Sequence, residues 1–300
     1  MPDLFAMASR DELWSRGALI ETRVSHGQAV QSGKEIAATD RLDDQSLRAA
    51  CDAAGVQLAN DVAGLKDARV RMVTTATAKS VNTTITITIA DVSIVTTPMY
   101  LRSDYDALQH LLAPATAHPP ARPLPIVWRG GSGAVLLHEA AGHAAEHHHQ
   151  PLTWPAWLRV RDESPEGAAD LLAGEEPRAL RRQSFRDVPM PRMTSVVVEH
   201  VHAPAEMPSH RIEVHLVSSG AYEPLTEAVT IRASIADLVE DGRRRRLPSF
   251  TFRATRQQIA RALAGAGGNA RRYPGVICSR EGQELLVGSY APMLVTAEIG

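Results

Sequence analysis

Between Leu136 and His143 the chain reads Leu-Leu-His-Glu-Ala-Ala-Gly-His, and this run constrains the fold more than any other stretch. The apolar residues Ala134, Val135, Leu136 and Leu137 leave no polar side before it, so the helix they begin is expected to be buried. His138, Glu139 and His143 then bring two imidazoles and a carboxylate close together. Neutral imidazole is a common zinc ligand, and a carboxylate beside such a ligand is placed to take a proton from water. In the familiar zinc-hydrolase helix the two histidines are four residues apart; here they are five apart. At ~100° per residue, His138 and His143 would diverge by roughly 140° around a regular helix. They can share one metal only if the helix is distorted. A π turn, hydrogen-bonded i→i+5, returns them to one face, and Gly142, costly in a regular helix, eases the distortion.

Two other readings compete with this one. His143-Ala144-Ala145-Glu146-His147 has the inverted spacing, histidines four apart with a glutamate before the second. A plainer reading takes His147, His148 and His149 as a solvated, cation-rich helix end. A zinc site needs a third protein ligand, and thiolate is a strong one. The chain has two cysteines. Cys51 lies in a short amphipathic helical pattern, where a cysteine is expected to be a small buried hydrophobe. Cys278 ends the apolar strand Gly275-Val276-Ile277 where a turn begins, a place from which a side chain can point into a site.

The chain resembles the TldD/PmbA family of metalloproteases. The resemblance rests on Leu136 to His143 with Glu146 following, and on Cys278 through Gly282-Gln283 to Val287-Gly288, with Pro292 and Leu294 beyond. Pro191-Arg192-Met193-Thr194, and Ser218-Ser219-Gly220 to Asp241-Gly242, add weaker matches. It implies that His138, His143 and Cys278 bind zinc, that Glu139 is the catalytic base, and that the chain is the metal-bearing type of subunit. It also implies peptide substrates bound in extended form and a dimer with a metal-free homologue of the PmbA/TldE type. The chain departs from the family at His147-His148-His149-Gln150 and at Ser195, and it is shorter than typical members.

Three hundred residues with a net charge of −2 suit two modest domains and point away from a nucleic-acid partner. Two distant cysteines fit a reducing compartment. No basic segment leading into a long apolar core opens the chain, and no run reaches membrane-spanning length, so a cytoplasmic protein is expected. Gly17 to Thr39 reads as short extended segments around turns, and Asp43-Asp44 can cap a helix to about Val62. Thr84-Ile85-Thr86-Ile87-Thr88-Ile89 alternates strictly, the pattern of a half-buried strand, and an open edge there would call for an interface to cover it. The proline-bearing stretch from Pro114 to Pro125 reads as a linker with a solvated His118.

The expected fold is α+β: an N-terminal α+β domain over residues 1–125, then a largely antiparallel β domain over 126–300 carrying the metal-binding helix. Within the second, Thr255 to Leu263 reads as a helix stopped by Gly265, Gly267 and Gly268. Arg243 to Arg246 reads as an exposed turn. The expected activity is zinc-assisted hydrolysis of an amide, with Arg192 a candidate to steady a substrate carboxylate or carbonyl or to form a structural ion pair. A small-metabolite amide-processing enzyme and a non-catalytic subunit remain as alternatives.

Overall fold

The computed structural model describes residues 3–15, 18–31, 44–77, 81–183, 187–201 and 206–299. The chain divides into two units, one of Met1–Gln109 with Leu180–Met190 and Ile277–Leu286, the other of His110–Ala179, Pro191–Val276 and Val287–Gly300. Strands dominate both, with few helices, which is the α+β class the sequence predicts. Among the described residues, no helix is long and apolar enough to cross a membrane.

In the first unit β1 (Asp3–Ser15) and β2 (Ala18–Gln31) form one long antiparallel hairpin. Of the short segments expected over Gly17–Thr39, the described part, Ala18–Gln31, is one continuous strand, because a partner along its length holds it extended. Residues 32–43, including Asp43 of the expected cap, lie outside the described residues. Helix α1 (Asp44–Ala63) follows and buries Cys51, Leu58 and Val62. The Cys51 Sγ faces the Thr74 carbonyl at 3.9 Å, so this cysteine packs as the small hydrophobe expected of it.

Strands β3 (Arg69–Thr77), β4 (Val81–Ile89) and β5 (Val92–Thr96) complete an antiparallel sheet in the order β5-β4-β3-β1-β2. The alternation of β4 sorts its two faces: Ile85, Ile87 and Ile89 are buried, while Thr84, Thr86 and Thr88 are half-buried. Its edges are both occupied, by β3 and by β5. The strand is thus internal to the sheet, so the potential edge noted in its pattern is covered within the chain and calls for no interface. Helix α2 (Leu101–Leu111), which the sequence did not announce, buries Leu101, Tyr105 and Leu108 along one stripe.

The second unit begins with the buried strand β6 (Ile126–Trp128) and continues through β7 (Leu158–Ser164) and β8 (Gly167–Asp170). The two-residue strands β9 (Leu180–Arg181) and β10 (Met190–Pro191), in and at the boundary of the Leu180–Met190 stretch of the first unit, pair with each other. Then come β11 (Ser195–His200), β12 (Arg211–Glu223), β13 (Ala228–Glu240), β14 (Arg243–Arg246) and β15 (Phe250–Thr255). After the short helix Arg256–Ala262 the chain closes with β16 (Leu263–Arg280) and β17 (Gln283–Thr296). Strand β6 lies parallel to β12 and antiparallel to β17, which explains its apolar reading on both faces.

Two local expectations are corrected in this unit. The arginines Arg243–Arg246 are strand β14, and the turn is Asp241-Gly242, whose φ values of 48° and 79° suit a tight hairpin. The strand is held by ion pairs of Arg244 with Glu213, Arg245 with Glu240 and Arg246 with Asp237. The glycines at 265, 267 and 268 lie inside β16; the helix before them ends because Leu263 turns extended at ψ 106°. Glycine permits extended backbone as readily as a turn, so its presence alone did not distinguish the two.

Candidate metal centre

The helix carrying the motif starts as Gly133–Leu137, widens into a π turn over His138–His143 and returns to α geometry at Ala144–Glu146. The distortion that five-residue spacing requires is therefore present at the motif itself. The two imidazole rings stand at right angles with centroids 4.9 Å apart. Cys278, two residues before the end of β16, brings its thiol to them, and the ligand atoms of His138, His143 and Cys278 all lie within 4.8 Å of one another. His138 is fully buried, and Cys278 and Glu139 are each 3% exposed.

Glu139 lies against both histidines, with carboxylate oxygens 4.0 Å from His138 Nε2 and 3.6 Å from His143 Nε2. The space for it is made by Gly220 on β12. A β-carbon at that position would lie 2.3 Å from Glu139 Oε1 and 2.7 Å from its Cγ. Gly142 serves the π turn similarly, since a β-carbon there would lie 2.1 Å from the sulfur of the fully buried Met193. The glycine thus admits Met193 as well as easing the helix geometry.

Glu146, buried to 1% exposure, holds the other side of the site. Its Oε2 is 2.8 Å from His143 Nδ1, and its Oε1 accepts from the Met193 amide at 3.2 Å. A carboxylate on one imidazole nitrogen fixes the ring and leaves the other nitrogen for a metal. The buried Arg192 guanidinium lies 3.9 Å from Glu146 Oε1 and steadies that carboxylate. His147, the second histidine of the inverted spacing, is exposed at the helix end, its ring near those of Tyr222 and His149. The structure thus brings together His138, Glu139, His143 and Cys278, places Arg192 behind Glu146, and leaves His147 outside the cluster. His118 is exposed, as expected.

Three residues of the site were not singled out for these roles in the sequence: Gly220, Arg256 and Glu146 as the holder of His143. Glycine inside a strand is a signal for close approach by another group, and Gly220 carries it. Arg256 has no comparable signal. It reaches the π turn from the first residue of its own short helix, donating from Nε to the Ala140 carbonyl at 2.9 Å.

The donor set fits zinc: two imidazoles and one thiolate, buried, on elements that already converge, with a carboxylate locking one ring. No family model and no curated protein matches the sequence. The fold is similar to that of TldE from Thermococcus kodakarensis, with a TM-score of 0.50 at 9% identity over 99% of this chain and 96% of that one. Two proteins described as proposed modulators of DNA gyrase also align. The one from Bacteroides thetaiotaomicron has a TM-score of 0.48 at 9% identity over 99% of this chain and 94% of that one. The one from Thermotoga maritima has 0.45 at 10% identity over 98% and 95%. The likeness to TldE gives the architecture: the chain has a TldE-like fold.

Proposed function

We propose that this chain is a zinc-dependent hydrolase of the TldD/PmbA type that cleaves amide bonds in extended peptides. The observation that carries the reading is the convergence of His138, His143 and Cys278 within 4.8 Å, beside the carboxylate of Glu139. Zinc held by these three residues would supply an electrophile for the scissile carbonyl and acidify a water in its open position.

The chain's own groups supply the rest. Glu139 takes a proton from the attacking water at its carboxylate and returns it to the leaving amine. Gly220 keeps that carboxylate against the histidines by leaving it room. Glu146 fixes the His143 ring through Nδ1, and the buried Arg192 guanidinium, 3.9 Å from Glu146, helps hold it in place. Among the described residues, β12 pairs with β13 on one side from Ser219 to Glu223, while its other neighbour, β6, pairs at Ile212–Val214. An extended peptide can add to such a strand through its main chain, with its amide brought toward Glu139.

Elemental analysis of the purified protein should find about one zinc per chain. Glu139→Gln should keep that zinc and lose cleavage of an unstructured peptide library by ~10²–10⁴-fold, while His143→Ala should lose the metal. Normal turnover by Glu139→Gln would refute the assignment of the base, and absence of zinc from the parent protein would refute the centre. The assembly we propose, on the resemblance to the TldD/PmbA family alone, is a dimer with a metal-free homologue; β4, paired within the chain on both sides, adds no argument for it. Light scattering of the co-expressed pair tests it, and full activity of a monomer would overturn it.

A further inference from the structure

We propose that Arg256 is a positioning residue for the metal centre, one that sets the π turn by inserting its guanidinium into the helix. The inference rests on the zinc reading above. Arg256 is the first residue of the helix Arg256–Ala262, whose start is fixed by a capping box between Thr255 and Gln258. From that anchored position its side chain, 3% exposed, donates from Nε to the Ala140 carbonyl, midway between His138 and His143. A side chain that enters the backbone hydrogen-bond ladder is one of the few recognised causes of local helix distortion.

The guanidinium is itself held. Its Nη1 donates to Glu227 Oε1 at 3.1 Å, and the Arg256 amide donates to the Glu227 carbonyl at 3.0 Å. Glu227 adopts a left-handed backbone at φ 52°. The same carboxylate oxygen meets His149 Nδ1 at 2.9 Å, three residues past the end of the helix. Arg256 therefore ties the middle of the π turn to Glu227, and Glu227 ties the chain just beyond the helix to the same point. A planar guanidinium can serve a carbonyl and a carboxylate at once; a lysine ammonium is a single point donor. With Ala140 released, the turn can relax toward regular α geometry, which rotates His143 away from His138.

The test uses the full-length protein with zinc and with cobalt(II), a substitute whose visible spectrum reports coordination geometry. Arg256→Met should bind zinc roughly 10–100-fold more weakly than the parent, the usual range for groups that orient metal ligands, and its cobalt spectrum should change in shape. Arg256→Lys should recover part of the affinity and the parent's cobalt spectrum, and it decides the question if Arg256→Met does not fold. Zinc affinity within twofold of the parent, with an unchanged cobalt spectrum, in folded Arg256→Met would overturn the proposal even if thermal stability had dropped; where Arg256→Met does not fold, zinc affinity of Arg256→Lys equal to the parent's would overturn it. A parent protein that binds neither metal would instead overturn the zinc reading and this inference with it.

Discussion

Substitution of Gly142 tests the packing of the π turn without any need for a substrate. In an exposed helix, glycine to alanine stabilises by ~1 kcal/mol through backbone propensity. At Gly142 the new β-carbon would lie 2.1 Å from the Met193 sulfur and 2.8 Å from its methyl carbon. Contacts between such atoms want about 3.5–4.0 Å, so Met193 must retreat by about 1.5 Å. It has little room to do so: it is fully buried, and its amide is bonded to Glu146. Overpacking of this kind costs ~1–3 kcal/mol, and the severity of the clash places it near the upper end. With the propensity gain of ~1 kcal/mol subtracted, Gly142→Ala should destabilise by about 1–2 kcal/mol. Met193→Ala alone should cost ~2–5 kcal/mol through the cavity it leaves. In that background the clash is gone, and Gly142→Ala should become neutral or stabilising by up to ~1 kcal/mol. Urea unfolding of the four proteins, metal-free, measures the cycle through midpoints at constant slope. Additive losses, with Gly142→Ala destabilising both backgrounds equally, would show that the glycine is kept for backbone conformation and not for Met193.

Other expectations follow from the same contacts. Glu146→Ala should weaken zinc binding by roughly 10–100-fold, whereas His147→Ala should leave it unchanged; isothermal titration with zinc compares the two. Glu213 is fully buried, and although burial opposes its charge, hydrogen bonds from Arg129 and Arg211 and the nearby Arg244 hold its carboxyl below the usual range. Glu213→Ala should therefore cost ~1–3 kcal/mol in urea unfolding, mostly through the poorly exposed Arg211 losing its acceptor, since Arg129 and Arg244 reach solvent; a loss below about 0.5 kcal/mol would show that all three arginines re-solvate freely. Burial lowers the pKa of His215 despite the Asp237 carboxylate 3.0 Å away. The unfolded chain then takes the proton first, so stability is whole above the ordinary histidine pKa and falls as the pH drops below ~6.5 toward the folded value. Comparing unfolding midpoints at neutral and mildly acidic pH, His215→Gln should show a smaller acid loss than the parent.

The sequence announced the π turn because five-residue spacing and a glycine leave a helix no other way to converge two imidazoles. It also located Cys278, since an apolar strand followed by Glu281-Gly282 ends where a side chain can reach a site, and those two residues do take φ 50° and 77° in the turn. It did not disclose what holds the turn. Arg256 and Ala140 are 116 residues apart, and a contact between a side chain and a distant carbonyl leaves no periodic trace. Strand β2 reads as short segments in the sequence because what holds it extended along its length is its pairing with β1. For β4 the alternation gave the faces correctly but was silent on the edges, which depend on how neighbouring strands are ordered.

The π turn also makes the motif resistant to the shortest path toward the more familiar one. Removing one residue from Ala140-Ala141-Gly142 would restore four-residue spacing, yet it would turn everything after the cut by about 100° and pull it back by about 1.5 Å. Glu146 would leave Met193 and Arg192, and His149 would leave Glu227. Because His143 and Glu146 move together, the pair would survive as a unit but face the wrong neighbours. The two motifs are separated by a rearrangement of the whole helix end, so a chain committed to the wider turn is expected to vary its ligand-holding residues in concert while keeping its length here unchanged.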